Sequence, residues 1–280
     1  MNRRPSGTGT GEELPQPRSL IAPRHLAGTG EIRHITDFLR AANWRERTSR
    51  SGGPLVFESP DHAVRIGYTA DTIPPQWILS GRSRGPHSPA WHATLGAQCP
   101  VEIVAAVSDA LAAPPLPQDA AEVWRPLDAH GWTTSSEPGR HHTATSADAT
   151  AVLRYRKDGD SAVWWACATP PGERWPLWNA VFSQHTPPHL LAAFAAALAD
   201  ARPVLRAPGT VPAPAVGHVR AAPVWVPAAE LTAAQRARRA AGRAAAYATA
   251  WAGRAWSVHR PRTGIPRPLA RDDAPARGRR

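Results

Sequence analysis

At 280 residues, 42% of them hydrophobic, the chain can bury one or two cores, and its cysteines, two in number (Cys99 and Cys167) and without CxxC spacing, argue against a disulfide framework or a structural zinc site. Its net charge of +11 sits at one end: fourteen arginines and three acids follow residue 203, which leaves everything before it neutral. An opening stretch with no apolar stretch of signal-peptide type, and no uncharged apolar run of about 18 residues anywhere, argue against a membrane protein and for a soluble cytoplasmic one.

Residues 1–22 are glycine, proline, threonine and charge, the composition of a disordered leader. A helical pattern follows at Glu31–Ala42, where Ile32, Ile35, Phe38, Leu39 and Ala42 share one face. Strands are expected at Leu55–Ser59 and Val64–Tyr68, joined by a tight turn at Ser59-Pro60-Asp61, and again near Gln76–Arg82 and Ala90–Ala97. A helix through Val101–Ala112 closes the unit, with Glu102 in its first turn.

The unit then occurs again. Shifted by 87 residues, Ser59, Asp61, Tyr68, Trp77 and Trp91 fall on Ser146, Asp148, Tyr155, Trp164 and Trp178, and Trp91–Ala112 falls on Trp178–Ala199. Earlier in the unit the offset becomes 88, and Phe38–Trp44 lies over Pro126–Trp132. The chain therefore carries two copies of one α-β-β-β-β-α unit, at residues 23–114 and 119–203, each an antiparallel four-stranded sheet covered by helices. The fold class is α+β, and units this small favour side-by-side fusion with a shared core.

The turn Ser59-Pro60-Asp61-His62, the strand holding Trp91, and the helix start Thr186-Pro187 with His189-Leu190 and its ending at Ala197–Asp200 resemble the SPDY domain family. This is a domain of unknown function from high-GC actinobacteria, often present twice in one chain. The resemblance covers about residues 24–203 and implies architecture, with no chemistry attached to any residue. His62 stands where the family has tyrosine, and the second copy reads Ser146-Ala147-Asp148-Ala149 there.

Beyond the repeats, residues 204–227 read as an extended Pro/Ala linker, residues 228–256 as a basic helix, and residues 257–280 as a disordered basic tail. On a helical wheel Arg236, Arg239, Arg243, Tyr247 and Arg254 fall on one arc with Trp251 beside them, while the opposite face is alanine interrupted by Arg238. Arginines interleaved with aromatics suit an acidic protein surface or nucleic-acid phosphates and bases. Because Lys157 is the sole lysine and alanine, proline and arginine abound, the arginines reflect a high-GC coding sequence first.

Candidates for chemistry are sparse. His185 and His189 have zinc-like spacing but are separated by Pro187 and Pro188, and His141 and His142 are adjacent on a strand, so their rings point to opposite faces. Asp61 and Asp148 belong to turns. Trp91 and Trp178 fit a core, or, if exposed, stacking platforms for a ligand. Three readings follow: a non-catalytic module binding a protein partner, without cofactor or metal; a nucleic-acid-associated protein using the basic helix and tail; and an enzyme whose cleft gathers His141, His142, His185 and His189 about Asp148.

Overall fold

The computed structural model describes residues 14–47, 53–70, 75–85, 88–114 and 119–258, the last seven through their backbone alone. The described residues begin with strand β1 (Gln16–Ala22) and a short 3-10 turn at Arg24–Leu26. The first copy comprises α1 (Arg33–Ala41), β2 (Arg45–Glu46), β3 (Leu55–Glu58), β4 (Val64–Thr69), β5 (Gln76–Gly81), β6 (Trp91–Gly96) and α2 (Val101–Ala112). In the second copy a 3-10 turn at Ala120–Val123 and the short α3 (Arg125–Ala129) precede β7 (Thr133–Glu137), β8 (His141–Thr145), β9 (Ala151–Asp158), β10 (Ser161–Ala168), β11 (Trp178–Ser183) and α4 (Pro188–Ala199). The remainder supplies β12 (Val204–Arg206), a 3-10 segment Ala213–His218, β13 (Arg220–Val226) and the long α5 (Ala228–Val258).

The two copies form one ten-stranded antiparallel sheet in the order β2-β3-β4-β5-β6-β11-β10-β9-β8-β7. They join at β6 and β11, where Thr94 lies opposite Val181, Leu95 opposite Ala180 and Ala93 opposite Phe182. Thr94 and Val181 are also 87 residues apart, so a pseudo-two-fold axis passes between them and each copy closes the other's open sheet edge. Alternation along the strands puts Ile66, Leu79, Leu95, Leu153 and Phe182 against the helices, fully buried, while their neighbours Arg65 and Arg154 face away. The duplication extends to ring geometry: Tyr68 meets Trp77 at 4.9 Å and 51°, and Tyr155 meets Trp164 at 4.8 Å and 48°.

Each copy adds a fifth, outermost strand to the four expected. β2 has two residues and β7, Thr-Thr-Ser-Ser-Glu, is exposed along its whole length. With no buried face, β7 has no apolar alternation for a sequence reading to detect, and a polar strand is what an unprotected sheet edge tolerates.

Two expectations need larger correction. Gln16–Ala22, assigned to a disordered leader, is a strand, and residues 204–227, assigned to a linker, supply β12 and β13. Together they form a second sheet, β12-β1-β13, with Ile21 opposite Val204 and Gln16 opposite Val226. Ile21, Ala27 and Val204 make a small core of their own. Pro223, which suggested a linker, is tolerated because β13 is an edge strand and Pro223 sits opposite Ser19 without needing a second ladder partner. Residues 1–13 of the leader and 259–280 of the tail lie outside the described residues.

A buried cation helps to fasten this small sheet to the first copy. Arg206 is buried on β12, where its guanidinium donates to both oxygens of Glu102 at 2.7 and 2.8 Å and to the carbonyls of Ala27, Gly28 and Leu205 at 3.1, 3.0 and 2.9 Å.

Candidate binding surface

α5 lies across α1 and α2, and its inner face explains how. Gly242 is buried at the crossing, where a side chain would overlap the Phe38 carbonyl and the Ala41 methyl group, so only glycine permits the approach. Arg238, which breaks the alanine face on the wheel, is the clamp. It holds Asp109 through two bonds of 2.7 and 2.8 Å, donates to the His34 carbonyl at 3.0 Å and stacks 4.4 Å over the Phe38 ring. Arg239 reaches Asp37 at 2.9 Å, and Thr249 donates to the Ala112 carbonyl at 2.8 Å.

Of the expected surface residues, Arg239 is therefore engaged with the body of the protein. Arg236 and Arg243 are exposed, and Tyr247 and Trp251 stand 74% and 68% accessible on the outward face of α5. Arg254 falls within α5, but its side chain lies outside the described residues. The stripe of Arg236, Arg243, Tyr247 and Trp251 spans sixteen residues, about 22 Å of helix. Sequence reasoning identified the stripe but missed its anchor, because Asp109 and Asp37 are far away in the chain and Arg238 looked like a blemish.

Trp91 and Trp178 belong to the core, at 8% and 3% accessibility, which corrects the alternative that they are exposed platforms. Trp178 donates from its indole nitrogen to the His25 carbonyl at 2.8 Å. Trp91 lies directly over Gly81, where a β-carbon would collide with its ring. In the second copy Ala168 takes the glycine's place.

The paired turns are built alike. Ser59 donates to Asp61 at 2.6 Å, the Ala63 amide donates to Asp61 at 3.1 Å, and the Val64 amide to Ser59 at 3.0 Å. Ser146, Asp148, Thr150 and Ala151 repeat this at 2.6, 3.1 and 2.9 Å. His62 and Ala149 occupy the left-handed region at φ 59° and 56°. Burial on its own would raise the Asp61 carboxyl. The Ser59 hydroxyl, the Ala63 amide and Arg84 outweigh it and hold the group below the ordinary aspartate value, and Asp148 is lowered the same way by Ser146 and Thr150. A general acid at neutral pH requires the opposite shift.

The four histidines do not gather about Asp148, although His141 and His142 line one cavity. His141 pairs with Glu137 at 3.2 Å, while His142, next to it on β8, stacks on Trp124 at 3.8 Å and 8°. His185 bonds Gln184, and His189 lines a separate cavity with Asp61. Asp148 instead faces His25, with 3.7 Å between carboxylate and ring nitrogen. Burial pushes both the Cys99 and Cys167 thiols above their usual value, which disfavours the nucleophilic thiolate. Among the described residues no group of three histidines, cysteines or acids is placed to hold a metal, and no helix is long and apolar enough to cross a membrane.

Residues 58–117 and 145–204 match the SPDY domain, described as a domain of unknown function (DUF317). The two segments are offset by the same 87 residues as the internal repeat, and each runs from the end of an outer strand through the closing helix. No curated protein and no solved structure matches the chain.

Proposed function

Because the chain belongs to the SPDY (DUF317) family and carries its domain twice, we propose that the protein is a non-catalytic binding module for a protein partner, with the outward stripe of α5 as its contact surface. One observation carries this reading: two large aromatics, Tyr247 and Trp251, stand open to solvent beside Arg236 and Arg243 on a helix whose other face is clamped. Tyrosine, tryptophan and arginine are the residue types that dominate binding energy at protein interfaces, and a pre-ordered helix loses little entropy on docking. The partner surface that fits is acidic, with apolar recesses for the two rings. In the cytoplasm, where we place the protein, the thiols of Cys99 and Cys167 stay reduced.

The same stripe supports a second reading, in which arginines meet phosphates and the aromatics stack on bases. The two readings separate on salt and on nuclease. The full chain and a variant with Arg236, Arg243, Tyr247 and Trp251 all changed to alanine are used as baits in nuclease-treated extract, and captured proteins are re-bound in pure form. We expect a partner whose affinity falls at least about a hundredfold in the variant, the combined loss of two or more interface anchors. Equal capture by both forms rejects the stripe. Binding of labelled DNA that falls steeply between 50 and 200 mM salt and vanishes in the variant would move the assignment to nucleic acid. Deleting residues 204–280 is not a clean alternative, because it removes β12, β13 and Arg206 from the fold.

A further inference from the structure

The pseudo-two-fold relates two places that are filled differently. In the second copy, the chain's own turn Arg24–Leu26 is seated against the Ser146-Asp148 turn, Trp178 and the end of α4. His25 bonds Thr150 at 2.6 Å and faces Asp148, its carbonyl accepts from Trp178, and Arg24 pairs with Asp200 at 2.8 Å. At the start of the second copy's partner helix, Glu102 receives Arg206, as described above. Arg24 and Arg206 thus neutralise Asp200 and Glu102, Asp148 faces the neutral imidazole of His25, and the seat is occupied.

In the first copy the equivalent positions line a cavity of about 470 Å³. Asp61, Ala63, Trp91 and Ala113 stand where Asp148, Thr150, Trp178 and Asp200 stand in the other, and His189 replaces Glu102. Ala246, Thr249 and Ala250 of α5 form one wall. Among the described residues the Trp91 indole N–H has no acceptor, whereas that of Trp178 has one.

The charge of the seat is reversed as well. Asp200 and Glu102 have become Ala113 and His189, and Arg82 and Arg84 border the cavity where the second copy has Thr169 and Pro171. Asp61, the cavity's one acid among the described residues, is already paired with Arg84, and Arg82 stands 4.0 Å from Glu58, so an incoming carboxylate competes with two pairs that are exposed on the arginine side. We propose that this cavity is a second binding site, which takes an acidic turn of another protein in the way the second copy takes the basic turn Arg24–Leu26. The turn's apolar residue packs against Leu111 and Leu190, and its carboxylates meet Arg82 and Arg84. The site is distinct from the α5 stripe, since Ala246, Thr249 and Ala250 face inward while Tyr247 and Trp251 face out.

Two synthetic peptides test this: APRHLAGTG, the chain's own residues 22–30, and APEDLAGTG, in which the two basic residues are acids. The readout is the Trp91 indole N–H resonance of the full chain, assigned by its loss in Trp91→Phe. The acidic peptide should shift that resonance saturably and bind at least about tenfold more tightly than the basic one, and Ala113→Asp should reverse the preference. Arg84→Ala should weaken the acidic peptide while the rest of the spectrum stays folded. If neither peptide moves the Trp91 resonance, the seat is not a binding site. If the unaltered chain prefers the basic peptide, the charge reversal is wrong and the proposal falls with it. Neither result touches the α5 stripe, whose variant leaves this cavity intact.

Discussion

Replacing Arg206 with alanine is expected to lower the free energy of unfolding by about 3 kcal/mol, a large loss for one residue. Its side chain is 2% accessible and satisfies five acceptors, two on Glu102 and three backbone carbonyls. Removing the cation leaves the Ala27 and Gly28 carbonyls without their donor and strands a carboxylate at the start of α2. Glu102 is 24% accessible and can recover some hydration, which keeps the loss at the lower end of the range for a broken buried pair. Denaturant unfolding of the two forms measures it. A change below about 1 kcal/mol would mean that the Arg206–Glu102 pair adds little to the other contacts that hold the β12-β1-β13 sheet.

The second large effect is on acid stability. Burial pushes the His25 imidazole down from 6.5 to about 4 and outweighs the opposing charge of Asp148. The folded state therefore holds this ring neutral in a range where the unfolded chain binds a proton. Because the folded value lies below the unfolded one, the contribution is complete above pH 6.5 and is lost as pH falls toward 4. The loss is at most about 3 kcal/mol, from the 1.36 kcal/mol that each pH unit of displacement represents. His25→Gln, which can still bond Thr150, should flatten the dependence over that window. A residual slope is expected from His34, His142 and His189, which burial also lowers. A separate loss follows at lower pH. Glu58, held to about 2 chiefly by Arg65 and His62, and Asp200, held to about 2 chiefly by Arg202, then take up protons. If the glutamine variant keeps the full slope between pH 6.5 and 4, His25 is not the group responsible.

What the sequence made legible and what it hid divide along contact distance. The repeat was visible because the structure needs the same residues twice: Tyr68 on Trp77 and Tyr155 on Trp164 are one packing solution written in two places. The strand β4 and its counterpart β9 showed their period of two because one face is buried and the other is not. β1 showed nothing, since Gln16–Ala22 finds its partners about 185 residues away at Val204–Arg206 and about 200 away at Arg220–Val226. Local composition on either side reads as leader and linker.

The candidate surface was half legible in the same way. Helical spacing placed Arg236, Arg243, Tyr247 and Trp251 on one face, and no spacing could reveal that Arg238 and Arg239 would turn toward Asp109 and Asp37. The open seat beside Trp91 was not legible at all. It arises from a difference between copies that share their landmarks: glycine at position 81 against alanine at 168, and the turn Arg24–Leu26 seated at one site against a wall of α5 at the other.

Amide hydrogen exchange along α5, in the intact chain and in Arg238→Ala, tests most directly whether the stripe is a surface the fold presents. The account predicts slow exchange from about Leu231 to Thr249 in the unaltered chain, as for a helix packed on α1 and α2, and much faster exchange once Arg238 is removed. If α5 exchanges as an isolated helix would, and Arg238→Ala changes nothing, the clamp is not formed and Tyr247 and Trp251 are not a pre-ordered binding surface.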